Sequence, residues 1–130
     1  MDEDLTYSID DSLSDVTQGR CPVLYALSII GQKWKLPIIW YLHENEFTRY
    51  NELKRRIPGI TGVMLAKSLR ELEEDGLVNR HDRQTNPPHV EYSLSSSGMA
   101  LLPALNELYH WGENRMSSEQ DDEPVEAQAD

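Results

Sequence analysis

"YNELKRRIPGITGVMLAKSLRELEEDG", residues 50–76, decides how this 130-residue chain folds. Leu53 and Ile57 stand four apart, one face of a two-turn helix running from Tyr50 to Ile57. Pro58 and Gly59 stop that helix and turn the chain, and Thr61 is placed to cap the next one. Leu65, Leu69 and Leu72 then recur at i, i+4 and i+7, the spacing of a single buried stripe. At about 100° per residue, Val63, Lys67, Arg70 and Glu74 fall on the opposite side. Gly76 closes the helix. Two helices joined by a tight Pro-Gly turn form a helix-turn-helix pattern.

The flanks complete a fold class. Upstream, Cys21-Pro22 suits a helix start, because proline in a first turn gives up no needed donor; Val23, Leu24, Leu27 and Ile30 give that helix an apolar side, and Gly31 ends it. A second helix, around Trp34, Ile38, Trp40, Tyr41 and Leu42, is apolar on most of its circumference and should be central in the core. Phe47-Thr48-Arg49 reads as a very short strand. Downstream, LVNRHD and VEYSL read as two strands, with Val90, Tyr92 and Leu94 on one side. The polar RQTNPPH between them cannot sit inside a sheet, since proline has no N–H for a ladder, so it forms an exposed hairpin tip. Ser95–Ser97 offer caps for a long helix through about Met116, which Pro103 should bend. Mainly α (α+β), a winged helix-turn-helix with flanking N- and C-terminal dimerisation helices, is the expected fold.

The formal net charge of −11 argues at first against a nucleic-acid partner. Its distribution reverses that. Residues 1–20 hold six acids and one Arg, and residues 117–130 hold six acids and no base, leaving 11 acids and 11 Lys/Arg in residues 21–116. The two ends have the composition of solvated, unfolded chain, so the expected organisation is an acidic tail 1–20, one folded domain 21–116 and an acidic tail 117–130. Within residues 33–83 ten basic residues face eight acidic ones. No run of about 18 apolar residues exists, so no membrane is expected, and the acidic start lacks the features of a secretory signal; the cytoplasm is the expected compartment.

A helix about 10–12 Å across with its side chains fits the roughly 12 Å major groove of duplex DNA. Residues 61–75 present what such docking needs: leucines inward, with Val63, Lys67 and Arg70 outward. Arg70 can fork two hydrogen bonds to guanine or phosphate, and Lys67 acts as a point charge. Arg49, Lys54, Arg55 and Arg56 are placed to meet the backbone, and Thr61 stands at the helix start. Arg80, Arg83 and His89 flank the hairpin tip, where a wing would reach a neighbouring groove. Taken singly, each is as readily a solvated surface charge; their placement on consecutive elements of one fold favours double-stranded DNA.

Several segments also resemble the HxlR-type winged-helix transcriptional regulators: Cys21-Pro22-Val23, "IIGQKWKLPIIWYL" (29–42), "FTRYNELKRRIPGIT" (47–61), "MLAKSLRELEEDGLVNR" (64–80), "PPHVEYSLSSSG" (87–98) and "LLPALNELYHWGE" (101–113). The resemblance implies a DNA-binding homodimer with a recognition helix Thr61–Asp75, a wing Leu77–Leu94 and an interface built from the first helix, Leu24 and Leu27, with Leu101–Trp111. Val63, Ala66 and His89 depart from the more polar or basic residues often found there.

The residues argue independently for a dimer. Leu101, Leu105 and Leu108, widened by Tyr109 and Trp111, make the last helix too apolar to stand exposed. Cys21, the one cysteine, precludes an internal disulfide. Some relatives sense oxidants through a thiol near this place, so Cys21 is the candidate redox sensor and an oxidant or small molecule the candidate effector; an idle helix cap is the plainer alternative. His43, His81, His89 and His110 show no metal-ligand spacing, and no phosphate-binding Gly loop or nucleophile motif occurs. No metal, no cofactor and no catalytic residue is expected, and the chain does not read as an enzyme. The expected function is a transcriptional regulator binding a near-palindromic operator as a homodimer. The alternative is a winged-helix protein-interaction module that does not bind DNA, which Val63, Ala66 and the acidic tails would suit.

Overall fold

The computed structural model describes residues 19–122, with side chains through residue 119. Most of the acidic tail expected at residues 1–20, and residues 123–130 of the one expected at 117–130, lie outside them. The described residues fall into two compact units that meet between Lys33 and Trp34. That division lies inside the single 21–116 domain expected from the sequence.

The first unit contains helix α1, Pro22–Ile30, with proline in its first turn and Cys21 as its N-cap. The Cys21 side chain makes no capping hydrogen bond. At the other end Gly31 donates its N–H to Leu27 O at 2.8 Å. None of the helix residues is buried, and Val23, Leu24, Tyr25 and Leu27 are all more than half exposed. An amphipathic helix whose apolar side meets water is incomplete as a folding unit.

The second unit runs α2 (Lys35–Leu42), β1 (Thr48–Arg49), α3 (Tyr50–Arg56), α4 (Gly62–Glu74), β2 (Val78–Asp82), β3 (Val90–Leu94), α5 (Ser96–Ala100) and α6 (Leu102–Asp122). Its core is built as the periodicities require: Ile38, Ile39 and Leu42 from α2, Leu53 from α3, and Leu65, Leu69 and Leu72 from α4, all at most 1 % exposed. Burying a leucine fully is worth about 1.5–3 kcal/mol, so the α4 stripe alone anchors that helix firmly. Lys35 is buried as well, a charge that no apolar periodicity would place inside.

Two glycines shape the helix pair. Gly59, at φ +80°, takes the left-handed turn between α3 and α4. Gly76, also at +80°, ends α4: its N–H bonds Glu73 O at 3.0 Å and the Leu77 N–H bonds Leu72 O at 2.9 Å, the paired bonds of a Schellman cap. Thr61 begins α4 by accepting the Met64 N–H at 3.1 Å.

The sheet is antiparallel, in the order β1-β3-β2. Thr48 pairs with Tyr92 on one side of β3, and Arg80 pairs with the same Tyr92 on the other. Beyond the ladder, Arg83 N–H still reaches His89 O at 2.9 Å, and the Asn86–Pro87 peptide at the tip is cis.

The long C-terminal helix differs from expectation in two ways. It is broken, not merely bent, at Leu101, because Pro103 has no N–H to continue the ladder; the bonds restart with Leu105 N–H to Leu101 O at 2.9 Å. It also continues to Asp122, six residues past Met116 and into the acidic segment expected to be unfolded. Leu105, expected along the subunit interface, is buried within the protomer at 7 % exposed. Tyr109 stacks on Trp40 of α2, with ring centroids 4.8 Å apart and planes at 14°. Leu108, Trp111 and Met116 stay about half or more exposed. Beside the stacked rings, Leu36, Pro37, Tyr41, Leu108 and Met116 line an apolar groove of about 530 Å³ between α2 and α6.

Candidate nucleic-acid interface

The outward side of α4 carries the residues the spacing placed there. Val63 is 78 % exposed while Leu65, two positions on, is fully buried. Lys67 and Arg70 are exposed on the same side. At the start of the helix Tyr50 of α3 donates its hydroxyl to Gly62 O at 3.0 Å, stitching the two helices together where they would meet a groove. Lys54 reaches the same place: a methyl group on Gly62 would lie 3.5 Å from Lys54 Cε. Small size at Gly62 therefore lets α3 side chains close over the first turn of α4. Thr61 spends an acceptor lone pair on its own cap and keeps a hydroxyl proton to donate.

Arg70 shares a surface with residues of the wing. Arg70, Glu73, Arg80, Tyr50, Ala66 and Tyr92 line one shallow depression of about 370 Å³, so α4, β2 and α3 contribute to a single polar surface. Two arginines and one glutamate are among its lining residues. Arg49, at the N-cap of the neighbouring α3, and Lys54 and Arg55 along that helix are exposed.

Three of the proposed backbone-contacting residues are held within the protomer. Arg56 bonds Glu44, lies 3.7 Å from Glu52 and covers the Tyr41 ring at 5.4 Å. Its guanidinium is thus engaged toward α2, unlike those of its neighbours in the LKRR run. On the wing, Arg83 donates to Glu91 Oε1 at 2.8 Å and sits 4.9 Å over the Phe47 ring, while His89 Nε2 lies 2.8 Å from Glu91 Oε2. The two hydrogen bonds, His89 first and Arg83 second, hold the Glu91 carboxyl below its ordinary pKa. His81 bonds Ser93 Oγ at 2.9 Å and meets Phe47 edge-on. A guanidinium already matched to Glu91 gives less to a phosphate than a free one.

Glu91, Tyr50, Glu71 and Lys35 are the residues the sequence reading missed. The hairpin alternation, with Val90, Tyr92 and Leu94 facing in, leaves Glu91 facing out beside His81, and that register was the available signal. For Lys35 there was none. Its Nζ lies 3.0 Å from Glu71 Oε1, and Lys67 Nζ lies 3.9 Å from Glu71 Oε2. The close Lys35 ammonium and then the surrounding cationic charges hold the Glu71 carboxyl below its ordinary range against the opposing effect of burial.

Among the described residues no group of three or more His, Cys, Asp or Glu converges to hold a metal ion, and no helix is long and apolar enough to cross a membrane. Cys21 is exposed.

Comparison with known proteins agrees with this geometry. The family model for the HxlR-like helix-turn-helix matches residues 29–120. The HTH-type transcriptional regulator BH0655 of Halalkalibacterium halodurans is 50 % identical over 91 residues, covering 70 % of this chain and 80 % of its own. The HTH-type transcriptional regulator YdzF of Bacillus subtilis is 45 % identical over 93 residues, 72 % of this chain and 85 % of its own. Among solved structures, the redox regulator HypR in its oxidized form superposes with a TM-score of 0.68 at 42 % identity, over 72 % of this chain and 96 % of that one. The exposed side of α4, the turn before it and the hairpin after it are those of a winged helix-turn-helix, and the chain belongs to the HxlR-like helix-turn-helix family of DNA-binding transcriptional regulators.

Proposed function

We propose that two copies of this chain bind duplex DNA together, each laying α4 in the major groove over one half of a near-palindromic operator. The observation that carries this is the two-sided character of α4: leucines sealed into the core, and Val63, Lys67 and Arg70 facing solvent. Arg70 reads base edges or phosphate, Val63 offers an apolar contact to a thymine methyl, and Lys54, Arg55 and Arg49 hold the backbone. Arg80 extends the contact toward the wing, beside Arg70. Arg83 and His89, matched to Glu91, serve mainly to stiffen the hairpin.

Dimerisation is supported by what stays uncovered. Leu24 and Leu27 on α1, and Leu108 and Trp111 on α6, are large apolar side chains left about half or more exposed, the kind of surface a partner covers. A second copy would cover these residues and set two α4 helices roughly 34 Å apart, one helical turn of duplex. Half-site energies then nearly add, so a weak single unit becomes a specific pair.

Mobility shift against DNA from around the protein's own gene tests this. Affinity should fall steeply with salt in proportion to the phosphates neutralised. Affinity that does not change with salt, or no shift at all, would favour the protein-interaction module instead. Sedimentation at micromolar concentration should give twice the chain mass, and a single-chain mass would remove the dimer.

A second reading concerns control. Cys21 is exposed at the start of α1, and a redox regulator is among the similar structures. A thiol in that place is suited to oxidation that releases DNA. Unchanged release by diamide in a Cys21→Ser variant would exclude it.

A further inference from the structure

We propose that Lys35 is a positioning residue for DNA contact: by neutralising Glu71 from inside the protein, it leaves the exposed Lys67 free to meet a phosphate. This rests on the DNA-binding reading above and assigns a role to a residue that no groove-facing pattern includes.

The geometry is a carboxylate between two ammonium groups. Lys35 lies 3.0 Å from one Glu71 oxygen and Lys67 lies 3.9 Å from the other. The two cations differ in their surroundings. Lys35 has a side chain only 5 % exposed and is fixed by the packing of α2, whereas the Lys67 side chain is 49 % exposed on the face of α4. The nearer, drier ammonium takes most of the carboxylate's charge, since Coulomb attraction grows as distance and effective dielectric fall. What remains for Lys67 is a loose contact at the outer limit of an ion pair, worth little in solvent.

The net charge of the trio is therefore one positive charge, displayed at Lys67. Without Lys35 the same carboxylate would have Lys67 as its close partner. The i, i+4 spacing allows full engagement, and the face of α4 would present a neutral pair where it now presents a cation. Arg70, on the neighbouring turn, also contributes to the field at Glu71 and would be drawn toward it.

The test is the salt dependence of binding to a mixed-sequence duplex, where phosphate contacts dominate. Lys35→Met should flatten the slope of log affinity against log salt by about 0.9 for each protomer that docks. Extrapolated from 1 M, that is roughly eightfold weaker binding per protomer at 0.1 M salt. The double variant Lys35→Met, Glu71→Met removes carboxylate and buried ammonium together, an exchange proteins often tolerate without loss of stability. It should restore the parent slope or exceed it.

A purely structural role for Lys35 would lower affinity by the same factor at every salt concentration, leaving the slope unmoved, and that result would overturn the proposal. If Lys35→Met does not fold, the double variant still decides, because a slope shallower than the parent's with no carboxylate at position 71 contradicts it. A parent protein with no salt-dependent duplex binding takes down the DNA reading and this inference together. A parent that binds, with a slope that Lys35→Met does not change, takes down this inference alone.

Discussion

Replacing Gly98 with alanine should destabilise the fold by about 2 kcal/mol, although alanine is the better helix former by about 1 kcal/mol. The reason is a close approach of two backbones. A methyl group on Gly98 would stand 2.3 Å from the carbonyl oxygen of Leu77 and 3.2 Å from Leu94 Cδ2. The carbonyl is not free to yield, because it accepts the Ser95 N–H at 3.0 Å. Ser95 in turn caps α5 through Gly98 N–H and donates to Gly76 O, so the end of α4, the base of the hairpin and the start of α5 share one knot. Overpacking of this kind costs about 1–3 kcal/mol, and stretching the Ser95 bond adds up to about 1.5 kcal/mol more, against the helix-propensity gain. For a domain of about 100 residues, 2 kcal/mol corresponds to a fall in Tm of roughly 8–16 °C. Gly112 supplies the control: it lies within α6 with nothing within 4 Å of an added methyl. There the same substitution should raise stability by up to about 1 kcal/mol. Urea denaturation of both variants at one protein concentration reads the two signs. A Gly98→Ala protein as stable as its parent would refute the close approach.

Leu69→Ala, which empties part of the α4 stripe, should cost about 2–5 kcal/mol in the same denaturation experiment, and a loss under 1 kcal/mol would mean the stripe is not sealed. Arg70→Ala should weaken binding at particular base positions in a footprint, whereas Lys54→Ala should weaken all sequences alike and flatten the salt slope. Acid should loosen the protein through Glu71 and Glu91. Both carboxyls sit below their ordinary value of 4.5 when folded, so their stabilisation is complete above that pH and is lost as pH falls through the folded values. An acid titration of thermal stability should therefore flatten in Glu91→Gln, and an unchanged profile would count against the wing clamp.

The helix pair, the turn and the hairpin were legible because each follows from local rules: leucines at 65, 69 and 72, Pro58-Gly59, and alternation at 90, 92 and 94. The interruption at Leu101 was half legible, since Pro103 announces a fault in the ladder without saying how far it goes. What stayed hidden depends on partners remote in sequence. Arg56 finds Glu44 across twelve positions, and Arg83 and His89 converge on Glu91 only once the strands are in register. Lysine ordinarily reads as surface, so a buried Lys35 answered by Glu71, on another helix, has no signature in the chain. Gly98 likewise looks like an ordinary helix breaker until Leu77 O is seen beside it.

The two-residue strand β1 has a mechanical consequence. Arg49 ends it and is also the residue from which α3 departs, while Thr48 is bonded into the strand that returns from the hairpin tip. There is no slack between them. A tug on the hairpin is handed along one peptide link to the root of α3, and from there through the Tyr50 hydroxyl to the mouth of α4. Hairpin and helices thus share a short, stiff linkage, and bending at one end reseats the other.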